Sequence, residues 1–171
     1  LGFSDLDYSA GFVIQHEPDV RHCEDTWYVW DGKRWKINKK AARILFQKFA
    51  REVTEAVSKV EDEDFAKKAY TKAKEGEGGG RTSSALICVA HEPEIDADQA
   101  AFDRVKMKLT CENGTIDLTT GKLESWDRKD FITHLVPTNY DPEAKCPRWE
   151  RFISEVMLGR LFYDEYLQRL R

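Results

Sequence analysis

The sequence predicts an α+β fold, and three observations carry that prediction. Asp31-Gly32 sits between two β-prone, Trp-rich runs within residues 26 to 37. A 3.6-residue apolar period fills residues 39 to 60. Beyond residue 105, three short β-prone runs are separated by Asn113-Gly114 and Thr120-Gly121. Together they give an N-terminal β-hairpin, central helices, a second small antiparallel sheet and C-terminal helices. A chain of 171 residues can bury about 70% of its unfolded surface, so stability requires neither disulfides nor a structural metal.

Residues 1 to 25 read as a short helix or turn followed by an extended entry. In Trp27-Tyr28-Val29-Trp30-Asp31-Gly32-Lys33-Arg34-Trp35-Lys36-Ile37, Asp-Gly favours a two-residue type I′ turn, which needs positive φ at both central positions. That turn pairs Trp30 with Lys33 and Tyr28 with Trp35. Side chains alternate along strands, so Tyr28, Trp30, Trp35 and Ile37 share one face, and Trp27, Val29, Arg34 and Lys36 share the other.

From residue 39, Ala42, Leu45, Phe46, Phe49, Val53, Ala56, Val57 and Val60 form one helical stripe, opposite Lys40, Arg43, Gln47, Lys48 and Arg51. Residues 62 to 74 predict a second helix with Phe65, Ala69, Tyr70 and Ala73 inward. Gly76-Glu77-Gly78-Gly79-Gly80 predicts a mobile break. A third helix is expected from a Thr82 or Ser83 cap, ended by Pro93. Lys106 to Cys111, Thr115 to Leu118 and Lys122 to Trp126 predict a meander, and Phe131 to Val136 a further strand closed by Pro137. Pro147 suits the first position of a helix, with Trp149, Phe152, Ile153, Val156 and Met157 on one stripe. Tyr163, Tyr166, Leu167 and Leu170 begin another helix.

The net charge is −4, which excludes a globally basic nucleic-acid binder. The charge is segregated, however. Residues 33 to 51 hold eight basic side chains and no acid, and residues 52 to 64 hold six acids against one Lys. Six of those basic residues, Lys33, Arg34, Lys36, Lys40, Arg43 and Arg51, are the candidate nucleic-acid contacts. Beside Trp27, Trp30 and Trp35 they can track a phosphate backbone of single- or double-stranded DNA. The opposing expectation is a packed aromatic face and merely solvated charges. A mean hydropathy of −0.63, with no long apolar run, predicts no membrane span. Cys23, Cys88, Cys111 and Cys146 form no Cys-x-x-Cys pair and read as reduced thiols of a cytoplasmic protein.

Catalytic patterns are weak. His91-Glu92-Pro93-Glu94-Ile95 has Ile where a zinc-binding helix needs its second His, so no metal site is expected. A phosphate loop would need Gly and Lys where Glu75 and Arg81 stand, after a strand rather than a helix. Glu143-Ala144-Lys145, with Pro18-Asp19 as a distant partner, has nuclease-like spacing, and keeps open the alternative of a fragment of a nuclease or primase active site. A protein–protein module without DNA contact is the other alternative.

The order of Trp30-Asp31-Gly32-Lys33-Arg34-Trp35, the run from Leu109 to Leu123, Phe131-Ile132-Thr133, Tyr140-Asp141-Pro142, Cys146-Pro147-Arg148-Trp149-Glu150 and Tyr166-Leu167-Gln168-Arg169-Leu170 resembles a known domain. It is the domain that precedes the superfamily-three helicase core in phage and plasmid primase–helicases. The poxvirus primase–helicase is similar, more distantly. The resemblance implies DNA replication, a primase-type domain upstream and a downstream ATPase core that assembles as a ring. ATP and magnesium are implied for that parent, and no cofactor for this domain. The implied role is that of a single linker or collar domain over residues 1 to 171, with a candidate internal boundary at 76 to 82. Its partners would be the adjacent helicase core, neighbouring subunits and DNA. No family catalytic residue maps onto the chain. The missing initiator Met, and a C-terminus inside a helical pattern, fit a domain cut from a longer polypeptide.

Overall fold

The structure, a computed structural model, describes residues 3–156. The chain divides into two compact units, Leu1–Tyr140 and Asp141–Arg171. The expected helix from Tyr163, and Met157, lie outside the described residues.

In the first unit, α1 (Asp5–His16) starts at a capping box: the Ser4 hydroxyl accepts from the Asp7 amide, and the Asp7 carboxylate accepts from the Ser4 amide at 2.8 Å. A 3-10 turn leads into β1 (Val20–Cys23). β2 (Thr26–Trp30) and β3 (Trp35–Ile37) complete an antiparallel sheet of order β1-β2-β3. Asn38 then caps α2 (Lys39–Ser58), its side-chain oxygen accepting from the Ala41 amide at 2.9 Å. Asp62 does the same for α3 (Glu63–Gly76), and α4 (Gly79–Ala90) follows. The second sheet is β4 (Lys108–Cys111), β5 (Gly114–Asp117) and β6 (Lys122–Glu124), in sequence order and antiparallel. In the second unit, α5 (Pro147–Val156) begins at its proline, as expected.

Phe12, Phe46 and Phe49 form the centre of the core. The Phe12 and Phe46 rings lie 5.3 Å apart, and Tyr8 meets Phe49 edge-on at 6.2 Å. Trp27 and Val29 of β2 close this core from the sheet side. The opposite face of the sheet is aromatic too. Trp35 stacks on Phe131 at 5.5 Å, and Tyr28 on Phe102 at 4.1 Å. Each side of the first sheet is therefore covered.

The structure corrects several expectations. Trp30 pairs with Trp35, and Tyr28 with Ile37, so the hairpin register is two residues longer than a type I′ turn gives. The Asp31 carboxylate accepts the amides of Lys33 and Arg34, both at 3.0 Å, and this side-chain turn opens the loop to four residues. The slip is even, so the predicted faces survive. Phe131 to Val136 is not a ladder strand. Phe131 has a φ of 51°, and the segment distributes its backbone bonds. Ile132 O accepts from the Trp35 amide at 2.8 Å, and the Val136 amide donates to Thr110 O at 2.8 Å.

The glycine run is a tight helix junction rather than a mobile break. Gly76 ends α3, Gly78 caps α4, and the Thr82, Ser83 and Ser84 hydroxyls bond back to the carbonyls of Gly78, Gly79 and Gly80 inside the helix. A Cβ on Gly76 would come within 2.4 Å of the Tyr8 ring, so only glycine permits this approach. On α3 the inward residues are Ala69, Ala73 and Gly76. Phe65 and Tyr70 remain 38% and 43% exposed, because small side chains are what let α3 lie close to its neighbours.

Candidate nucleic-acid interface

The basic run divides at Trp35. At the hairpin tip the Lys33 ammonium pairs with the Glu112 carboxylate, donates to Glu112 O at 3.2 Å and lies 5.3 Å from the centre of the Trp126 ring. Arg34 donates from Nη1 to Thr133 O at 3.2 Å, with its Nε 3.7 Å from Asp31. Both cations are turned inward, onto the second sheet and the strap that follows it.

At the base of the hairpin the situation differs. Lys36 lies on β3, an edge strand, and Lys40 lies in the first turn of α2. Both are exposed, and neither has a hydrogen bond or ion pair among the described residues. Arg43, one turn further, donates to Ser83 Oγ and Gly79 O, both at 3.2 Å, so it is held against α4 without a carboxylate. Arg51 lies eight residues beyond Arg43, roughly 12 Å along the helix, where its charge acts on the Lys74–Glu77 pair of α3. Of the six candidates, Lys36, Lys40 and Arg43 cluster at the β3–α2 corner. Lys33, Arg34 and Arg51 do not join them.

The aromatic part of the expectation is corrected for two of its three rings, Trp30 remaining half-buried. Trp35 is 1% exposed and Trp27 is 5% exposed, so neither presents a free face to a base. Trp35 serves the fold: its amide donates to Ile132 O at 2.8 Å and its Nε1 to Arg128 O at 2.7 Å.

The structure adds a feature that the sequence did not reveal. A cleft of about 540 Å³ opens between the first sheet, the start of α2 and α4. Its wall includes Lys39 and Arg43 from α2, His22 and Trp27 from the sheet, and Ile87 and His91 from α4. These residues come from three separate elements, and no short motif could have joined them. His22 is fixed by its backbone, which bonds to Ile95 O and to the Ala97 amide at 2.8 Å each. Burial lowers its pKa, with Asp25 and Asp96 opposing. His91 ends α4 and shares a 2.7 Å hydrogen bond between Nδ1 and Ile87 O.

The weaker catalytic patterns stay apart. Ile95, where a zinc helix needs His, is fully buried in the core, and no group of three metal-ligating side chains gathers among the described residues. Arg81 pairs with Asp5 and Glu75, at the start of α4 and after a helix rather than a strand. Asp19 pairs with Arg128 at 2.7 Å, and Glu143 lies in the other unit. All four cysteines are free thiols.

A family model described as D5 N terminal like matches residues 10–158. The chain belongs to that family. The D5 N-terminal-like domain is the N-terminal domain of D5-like primase–helicases, which agrees with a domain preceding a helicase core and places this one in a DNA-replication context. No curated protein matches the sequence significantly. No helix among the described residues of this D5 N-terminal-like domain is long and apolar enough to cross a membrane.

Proposed function

We propose that this domain is a non-catalytic accessory domain of an ATP-dependent primase–helicase. It positions the neighbouring helicase core, supports subunit assembly and touches the DNA backbone through Lys36, Lys40 and Arg43. ATP and magnesium serve the parent's core, not this domain. The observation that supports DNA contact is the pair of exposed ammonium groups of Lys36 and Lys40, near Arg43 in the chain and without a partner among the described residues. An isolated surface cation of this kind contributes little to stability, whereas a cation on a phosphate releases a counterion.

Contact with three or four such side chains gives a log–log salt slope of about −2 to −3 on single strands. Affinity is weak for the single domain, because its remaining surface is acidic. It rises on ring assembly through multivalency. Fluorescence anisotropy with a labelled oligonucleotide at two salt concentrations tests the reading. Unchanged low-salt affinity after Lys36→Glu, Lys40→Glu and Arg43→Glu together would remove the DNA role. The 171-residue chain does not hydrolyse ATP, and turnover abolished by Gly79→Ala or Arg81→Ala would contradict this. It is a monomer or weak oligomer alone. Light scattering that shows a stable hexamer would overturn the assembly part.

A further inference from the structure

We infer that the cleft between the first sheet, α2 and α4 takes one unpaired nucleotide of a single strand, with its base on the apolar floor and its phosphate at the Lys39–Arg43 rim. The inference rests on the DNA contact proposed above and narrows it from DNA in general to an unpaired strand.

Three observations carry it. The first is size. The cleft holds about 540 Å³, within the roughly 300–1,000 Å³ of small-ligand sites. The second is composition. Leu86, Ile87 and Ala90 present an aliphatic floor along one side of α4, backed by Trp27. Ile87 is 63% exposed, a large apolar side chain that the described residues leave open. A flat, weakly polar base covers such a surface without a fixed donor–acceptor pattern, so recognition is independent of sequence. The third is charge. Lys39 and Arg43 line the cleft against one lining carboxylate, Asp25.

The positive charge continues past the cleft. Lys39 and Arg43 lie one helical turn apart on α2 and line the cleft. Lys40 and Lys36 carry charge round to the outside of the same corner. A phosphate chain leaving the cleft meets cations along its path. A duplex cannot use the floor, since its bases are stacked and paired. Bringing one out requires unpairing and unstacking it first.

The test uses the 171-residue chain, with oligo(dT) and with the same strand annealed to oligo(dA). Ile87 is exposed, so Ile87→Gln changes neither charge nor packing appreciably. It is expected to weaken oligo(dT) binding by about tenfold, the scale of one lost apolar contact, and to leave duplex binding unchanged. Ile87→Trp, which offers a ring for stacking, strengthens oligo(dT) binding. Lys36→Glu with Lys40→Glu weakens both nucleic acids, as the proposed backbone contact requires. If Ile87→Gln leaves oligo(dT) binding unchanged, or weakens both nucleic acids equally, the nucleotide cleft is wrong, and the backbone contact still stands on the lysine variant. If the lysine variant also has no effect, both readings fall. Hydrogen exchange provides a second readout. Protection of residues 86 to 91 by poly-glutamate but not by oligo(dT) assigns the cleft to an acidic protein partner and overturns the proposal.

Discussion

At the tip of the β2–β3 hairpin, Lys33 and Arg34 reach Glu112 and Thr133, which lie 79 and 99 residues away in sequence. Two residues after Arg34, Lys36 reaches nothing among the described residues, and neither does Lys40. Chemically the four side chains are near equivalents, and in the chain they are neighbours. Long-range structure alone separates them. The tip cations are held by acceptors from the second sheet and its strap, and the corner cations face solvent. Charge density along a sequence therefore overstates an interface, because it counts cations that the fold has already neutralised.

The sharpest way to break this division is to remove the residue on which it turns. Trp35→Ala deletes a side chain that is 1% exposed and both of whose neighbours on the strap are hydrogen-bonded or stacked to it. A cost of about 3–5 kcal/mol is expected, read as a lower denaturation midpoint. Phe131 loses its stacking partner in the same variant. If the loss is under 1 kcal/mol, the aromatic layer is not what holds the tip in place.

Reversing the corner charges comes next. Lys36→Glu, Lys40→Glu and Arg43→Glu together lower DNA affinity at low salt by more than tenfold. Lys36→Glu with Lys40→Glu alone leaves thermal stability within about 0.5 kcal/mol. An unfolding shift well beyond that would show that the corner is structural, like the tip.

Lys33→Ala makes the complementary measurement. Its side chain and that of Glu112 are 35% and 37% exposed, so the pair is largely screened, and a stability loss of about 0.5–1 kcal/mol is expected. DNA affinity stays unchanged. A double-mutant cycle with Glu112→Ala isolates the coupling, and a drop in DNA affinity on Lys33→Ala would return the tip to the interface.

The smallest effect sharpens the comparison on the pH axis. His16 packs 4.7 Å from Phe12, and burial lowers its pKa, against the pull of Glu52 and Asp19. The unfolded chain therefore binds the proton more readily than the folded one. His16 leaves stability intact above the ordinary histidine pKa, and stability falls as pH drops through that value. His22 acts in the same window and direction, since burial lowers it too. His16→Phe is expected to flatten part of the acid-side decline in an unfolding titration. An unchanged profile would assign the decline elsewhere. Any change of DNA binding in that window that persists in His16→Phe is then tested at His22, in the cleft wall.

Much of the fold was legible because its signals are local. The stripe of α2, the meander at β4 to β6 and the proline start of α5 each follow from spacing and turn residues. The hairpin register was not, because the Asp31 carboxylate competed with the type I′ preference of Asp-Gly. The role of Gly76 to Gly80 was not legible either. Glycine marks both flexible loops and close packing, and the Tyr8 ring that decides between them comes from α1. For the site, the sequence identified the basic residues but not which of them are occupied. Glu112, Thr133 and Ser83 are ordinary residues until the fold brings them alongside. The cleft left no sequence signal, since its walls come from three elements.

The two hydrogen bonds from Trp35 to Arg128 O and Ile132 O also set a clock. The nearer acceptor is made 93 residues after its donor. At a ribosomal rate of about 5–20 residues per second, that interval is roughly 5–20 s. For most of that time the nascent hairpin carries Tyr28, Trp30 and Trp35 on an uncovered face, which first Phe102 and then the strap close. β1, β2 and α2 can assemble early against α1, but the outer aromatic layer must wait for the strap. Newly made chains halted before Arg128 should therefore show a protease-sensitive hairpin above an already protected α1–α2 core, and chains extended past Ile132 should not.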